Sequence, residues 1–287
     1  MYKGRERVFR RPDTRAGDAC VARGGNTMSA VAIERSGSVA VVRMNRPDRM
    51  NAYDFEMGKE LLEGVLALAG DPRVRCIVLT GTGKAFCAGG DVTMMGTFTE
   101  GAEARFLELT VRLHAFIASL RRCPKPVISA VNGVAAGAGF SFALAGDIAV
   151  AARSARFTLA YQNIGLSPDG GASYFLARTL GTHRAMELTL TGRTLSAEEA
   201  AAWGLIQKVF PDETFEAEVA ALAASIATGP TLAYAKAKEL YNRALCQPLE
   251  AHMEDERQRI AASSLTSDFR DGIRAFLEKR KPEFGGK

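Results

Sequence analysis

The stretch "KPVISAVNGVAAGAGFSFALAGDIAVAA", Lys125 to Ala152, decides how the chain folds. It opens on one apolar run, "PVISAV", and closes on another, "DIAVAA". Between them lie a glycine-rich passage and a short apolar segment, "GFSFALA". Continuous apolar runs of this length read as strands buried on both faces, and the segment between them reads as a short helix. The same grammar extends outward. "VRCIVLTG" (Val74–Gly81) is another buried strand ending in glycine, and "ARFLELTVRLHAFIASLRRC" (Ala104–Cys123) is a long amphipathic helix. "VAIERSGSVAVVRMN" predicts two strands joined at Ser36-Gly37. "YDFEMGKELLEGVLALAGD" spaces Met57, Leu61, Leu62, Val65 and Leu66 as a helix, with Asp54 as its cap. From Pro168 onward, helices are predicted over 171–180, 182–190, 196–203, 213–227, 230–245 and 249–279. Strands alternating with helices define an α/β fold with a helix-rich C-terminal third.

The 287 residues are 47% hydrophobic and 24% charged, enough apolar material for a sizeable core. No run approaches the roughly 18 apolar residues of a membrane span. Five scattered cysteines, with no C-x-x-C pair, argue against a disulfide framework or zinc site and point to a reducing cytoplasm. The net charge of +5 is unevenly placed. Residues 1–27 hold seven cations and three acids, +4, leaving +1 for the rest. That leader reads as a disordered basic extension, with Met28 a possible start; a nucleic-acid arm or transit peptide are the other readings. The near-neutral body argues against nucleic acid, which needs a concentrated positive face.

Two glycine-rich segments follow strand ends, where open α/β sheets place ligands: "GKAFCAGGDV" (Gly83–Val92) and "NGVAAGAGFSFALAGD" (Asn132–Asp147). A phosphate-binding Walker loop fails, because Ala85 stands where a hydroxyl is needed. "GTGKAF" and "GAGFSF" both miss the last glycine of a dinucleotide fingerprint. "GFSFA" approaches a nucleophile elbow, but Ser141 falls inside a helix rather than on a turn leaving a strand. His114, His183 and His252 each sit in a helical pattern without an evident partner. What both segments suit is an oxyanion hole: small residues let a ligand carbonyl approach two backbone amides, one of them at a helix start. Tight packing corners are the alternative. Asp169, in "SPDGG", is either a turn-former and helix cap or a catalytic carboxylate.

The two glycine segments resemble those of the crotonase family, the enoyl-CoA hydratase/isomerase superfamily. The resemblance runs from Val31 to Phe284 and includes "NRPDRMNAYD", "LTGRTLSAEEAAAWGLIQKVFP" and "FLEKRKPEF". It implies a spiral of ββα units over 28–225 and a C-terminal helical region over 226–287 that packs trimers, some paired into hexamers. It implies coenzyme A thioester substrates, no separate cofactor and no metal. By position, the family's oxyanion donors fall on the amides of Gly90 and Ala138. Ala88, Gly90, Asp91, Val92 and Thr93 would line the CoA side, with Arg49 near its phosphates and Phe276 and Lys279 covering it.

The departures matter as much. Hydratases of the family carry two glutamates; Ser141 and Tyr161 stand at those positions here, as candidate substrate contacts. The resemblance then leaves Asp169 as the acid/base, placed as in relatives that move a double bond. A carboxylate expected among Leu166, Phe140 and Phe142 would have a raised pKa suited to carrying a proton. A hydratase with other acids, an aryl-CoA epoxide isomerase and a non-catalytic acyl-CoA- or RNA-binding member stay open as alternatives.

Overall fold

The Ser36-Gly37 turn closes the expected hairpin: β1 (Val31–Ser36) runs antiparallel to β2 (Val39–Met44). Gly37 has φ +60°, a left-handed conformation that glycine reaches without a Cβ penalty. The computed structural model describes residues 29–287, so the basic leader and Met28 lie outside the described residues.

After α1 (Phe55–Gly70), the chain repeats one pattern. A strand joins the first sheet, a short strand joins the second, and helix follows. The first repeat is β3 (Cys76–Gly81), β4 (Ala85–Cys87), α2 (Val92–Met95) and α3 (Ala102–Arg122). The second is β5 (Val127–Val131), β6 (Val134–Ala136) and α4 (Ala138–Ala145). The third is β7 (Ile148–Ala152), β8 (Arg156–Thr158), α5 (Ala172–Leu180) and α6 (Thr182–Thr191). Then come β9 (Leu195–Ser196), α7 (Ala197–Ala202) and β10 (Lys208–Phe210). The first sheet has the order β1-β2-β3-β5-β7-β10, parallel except at β1. The second has the order β4-β6-β8-β9. This is the ββα spiral.

Period-two alternation splits the first sheet between two cores. Ile77 and Leu79 face the larger one, shared with α1, α3 and α4. Cys76, Val78, Ile128 and Val150 face the smaller one, where α8 (Phe215–Ala227) lays Phe215, Val219 and Ala223. The expected boundary at 225/226 therefore falls inside a helix that covers the sheet. Beyond it lie α9 (Thr231–Arg243), α10 (Leu249–Ser263) and α11 (Ser267–Leu277). The single helix expected over 249–279 is two helices: Thr266 takes an extended conformation and its side chain accepts from the Phe269 amide, capping α11.

Candidate active site

The site is built where β4 and β6 end side by side. They pair in parallel, so both chains leave the second sheet in the same direction. Gly89 (φ +98°) and Gly137 (φ +50°, ψ −122°) turn the two exits, in conformations a side chain would strain. The turns touch: a Cβ on Gly137 would lie 3.4 Å from the Gly89 Cα. A Cβ on Gly139 would lie 2.0 Å from the Cys87 carbonyl oxygen. Glycine at these positions is what lets α4 begin against the Gly89-Gly90 loop.

Two amides face the resulting cleft. The Tyr53 N–H donates to the Gly89 carbonyl (2.7 Å) and the Asp91 N–H donates to the Tyr53 carbonyl (2.8 Å). Those bonds occupy one edge of the strand-like bridge, so Gly90 turns its own N–H to the other edge. The Ala138 N–H opens α4 and has no intrahelical acceptor. Among the described residues neither amide donates to a protein acceptor. Gly90, Ala138 and Asp169 all line one cavity of about 430 Å³.

Asp91 holds the first loop in place. Its side chain accepts from the Thr93 and Met94 amides and so caps α2, and its other oxygen pairs with Arg46 at 2.9 Å. Burial opposes its charge, but Arg46 and the two amides together hold the carboxyl below its usual value.

Asp169 is not a helix cap. The cap residue of α5 is Gly171, without a side-chain cap bond, and the Asp169 contribution to the turn is its carbonyl. That carbonyl accepts from the Ala172 amide (3.0 Å) and from the Ser141 hydroxyl (2.9 Å). The carboxylate is left for the cavity. Its Oδ1 accepts a 2.6 Å hydrogen bond from the Tyr161 hydroxyl. No other residue donates to it among the described residues, which leaves Oδ2 for a ligand. Burial raises the Asp169 pKa; Tyr161 and His114 pull it back only in part. Burial pushes the Tyr161 phenol up far enough that it stays protonated and donates to the carboxylate.

The sequence-predicted residues divide. Ala88, Gly90, Val92, Ala138, Tyr161 and Asp169 line the cavity. Ser141 does not: it is fully buried in α4 and its hydroxyl holds the Asp169 turn from behind. Asp91 is buried and structural, while Arg49 and Thr93 meet each other at the surface (3.4 Å). Phe276 is 82% exposed, and neither it nor Lys279 lines the cavity of the chain that carries them. The expected aromatic wall is also corrected. Leu166 lines the cavity, but Phe140 packs on Phe157, and Phe142 packs on Tyr53 and Phe116, inside the core.

Sequence reasoning missed two features. Tyr53, Leu109, Leu113 and Leu159 supply much of the apolar wall. Their helical and strand spacing marks them only as buried. His114, read as partnerless, accepts at Nε2 from the Gly170 N–H (3.4 Å) on the Asp169 turn.

A spiral of this kind matches a known class. The Enoyl-CoA hydratase/isomerase family model covers residues 34–287, and the chain belongs to that family of acyl-CoA enzymes. It is 43% identical over 253 residues to a 1,2-epoxyphenylacetyl-CoA isomerase of Escherichia coli (strain K12), covering 87% of this chain and 95% of the relative. It is 41% identical over 256 residues to a probable enoyl-CoA hydratase of Rhodobacter capsulatus, covering 88% and 97%. A crystal structure of an enoyl-CoA hydratase from Polaromonas sp. JS666 superposes with a TM-score of 0.85 at 36% identity, covering 88% of this chain and 99% of that one.

Proposed function

We propose that this enzyme moves a double bond within an enoyl-CoA thioester, with Asp169 as the only acid/base. The observation that carries this reading is that Asp169 is the one carboxylate lining the cavity among the described residues. The thioester carbonyl sits between the Gly90 and Ala138 amides. Asp169 Oδ2 takes a proton from the carbon α to that carbonyl. Charge moves onto the carbonyl oxygen, where two amides and the positive end of α4 stabilise the enolate. The protonated carboxyl then delivers the same proton to the γ carbon. One group suffices, because no net proton is gained or lost. Syn addition of water would need a second acid, and at both positions where hydratases carry one the hydroxyl is already engaged with Asp169.

The acyl-CoA is the substrate, and no further cofactor enters this chemistry. The assembly we propose is a trimer or a pair of trimers. Tyr241, Leu245, Ile260 and Leu265, in and between the C-terminal helices, are each at least 70% exposed on one chain, apolar surface suited to a second copy. A reducing cytoplasmic setting fits the free cysteines, of which Cys76, Cys87 and Cys123 are buried. Among the described residues no helix is long and apolar enough to cross a membrane. A second reading, isomerisation of an aryl-CoA epoxide through the same enolate chemistry, draws on the name of the 43% identical relative. The test is direct: supply 3-enoyl-CoA, 2-enoyl-CoA and an aryl-CoA epoxide separately, and follow double-bond migration, water addition and epoxide loss. Migration from 3-enoyl-CoA is expected. Water addition as the dominant reaction, surviving Asp169→Asn, would overturn the proposal.

A further inference from the structure

Helix α4 carries two parts of the site one turn apart. Ala138, its first residue, offers an outward amide, and Ser141 follows three residues later. Residues at i and i+3 share a helix face, and three residues of helix rise about 4.5 Å. Ser141 is fully buried and does not line the cavity. Its hydroxyl donates to the Asp169 carbonyl at 2.9 Å. That carbonyl is satisfied without it, because the Ala172 N–H reaches it at 3.0 Å. The Ser141 bond therefore ties the turn that carries the carboxylate to the helix that carries an oxyanion donor. The packing behind the turn is equally close. A Cβ on Gly170 would lie 2.8 Å from the Ser141 Cβ and 3.0 Å from its Oγ. Gly170 has φ +57°, which a side chain would strain, so neither partner has room to grow.

We infer that Ser141 is a positioning residue that sets, by one hydrogen bond and by its small size, where the Asp169 carboxylate stands relative to the oxyanion hole. This rests on the reading of Asp169 as the base. The carboxylate must meet first the α and then the γ carbon of a thioester whose carbonyl is held at Ala138. The spacing between donor and base is therefore what the reaction needs fixed. Tyr161 orients the carboxylate through Oδ1, whereas Ser141 fixes the backbone from which it projects. A longer side chain at position 141 has no space behind the turn. Glutamate, the residue hydratases carry there, would enter only by pushing Gly170 aside and Asp169 with it. The same position thus holds the chain to chemistry with one acid. Ser141 touches no substrate and acts only through the Asp169 turn.

The experiment compares Ser141→Ala, Ser141→Glu and Asp169→Asn with wild type. It measures kcat and KM for 3-enoyl-CoA, Kd for butyryl-CoA, water addition to 2-enoyl-CoA, and thermal melts. Ser141→Ala leaves no buried group unpaired and both oxyanion amides in place, so Kd, KM and melting should stay close to wild type. Its kcat should nevertheless fall about 10–10²-fold, the effect of a misplaced base. Ser141→Glu should lose isomerisation without gaining water addition. A Ser141→Ala enzyme with wild-type kcat would overturn the positioning role while leaving Asp169 as the base. So would a loss of kcat matched by weaker thioester binding and a lower melting temperature, which is general structural damage. Ser141→Glu that isomerises at the wild-type rate, or that adds water, would overturn the size limit. Asp169→Asn isomerising at the wild-type rate would instead remove the base on which the inference rests.

Discussion

Replacing Ala138 with proline would remove one amide proton and little else. Ala138 is the first residue of α4, where proline is well tolerated because its missing N–H would have no intrahelical partner. Gly137 before it has φ +50° and ψ −122°, outside the α region that a following proline disfavours. Folding stability should therefore barely change, whereas proline at Ala143, in the interior of the same helix, should cost about 3 kcal/mol. Catalysis should not be spared. Losing one oxyanion donor costs about 10²–10³ in kcat, or about 2.7–4 kcal/mol of transition-state stabilisation. The assay is kcat and KM for 3-enoyl-CoA, with thermal melts of both variants. Donor loss predicts a fall in kcat at similar KM, whereas a ring that merely blocked entry would raise KM. A kcat equal to wild type would refute the role of this amide.

Three further outcomes follow from the same geometry. Tyr161→Phe removes a hydrogen bond that favours the ionised Asp169, so the carboxyl pKa rises further and the acidic limb of the kcat/KM–pH profile moves to higher pH; an unmoved limb counts against Asp169 as the titrating base. Because burial holds the Asp169 pKa above its unfolded value, the native state binds the extra proton and stability falls as pH rises through that window. Asp169→Asn, which has no such charge, should melt no lower than wild type at neutral pH, with its advantage narrowing on acidification; melts will show this. Gly139→Ala drives a Cβ to 2.0 Å from the Cys87 carbonyl oxygen and should cost about 1–3 kcal/mol in chemical denaturation, with activity falling as the two loops separate.

Legibility followed the range of each interaction. The hairpin, the six-residue strand β3 and helix α1 with its Asp54 cap could be read directly, because side-chain period and capping are local. The strands β4, β6 and β8 could not. Each has three residues among glycines and exists through its neighbours in the second sheet, so no period develops. The break between α10 and α11 was hidden because Ser264, Leu265 and Thr266 interrupt neither the apolar spacing nor the charge pattern. At the site, the two glycine loops were legible because close approach demands glycine whatever the distant context. Asp169 stood out on its turn, but what surrounds it did not. Tyr161 reaches it through a short 3-10 turn, Ser141 from 28 residues away, and His114 meets its turn across 56 residues. Phe276 and Lys279 fit the family pattern in sequence, yet Phe276 on α11 and Lys279 just past it do not line the cavity of their own chain.

The account stands most directly on single-turnover conversion of 3-enoyl-CoA by Asp169→Asn, with thioester binding measured alongside. A sole acid/base predicts binding close to wild type and a rate lower by about 10²–10⁴. A variant that binds and isomerises at the wild-type rate would contradict it.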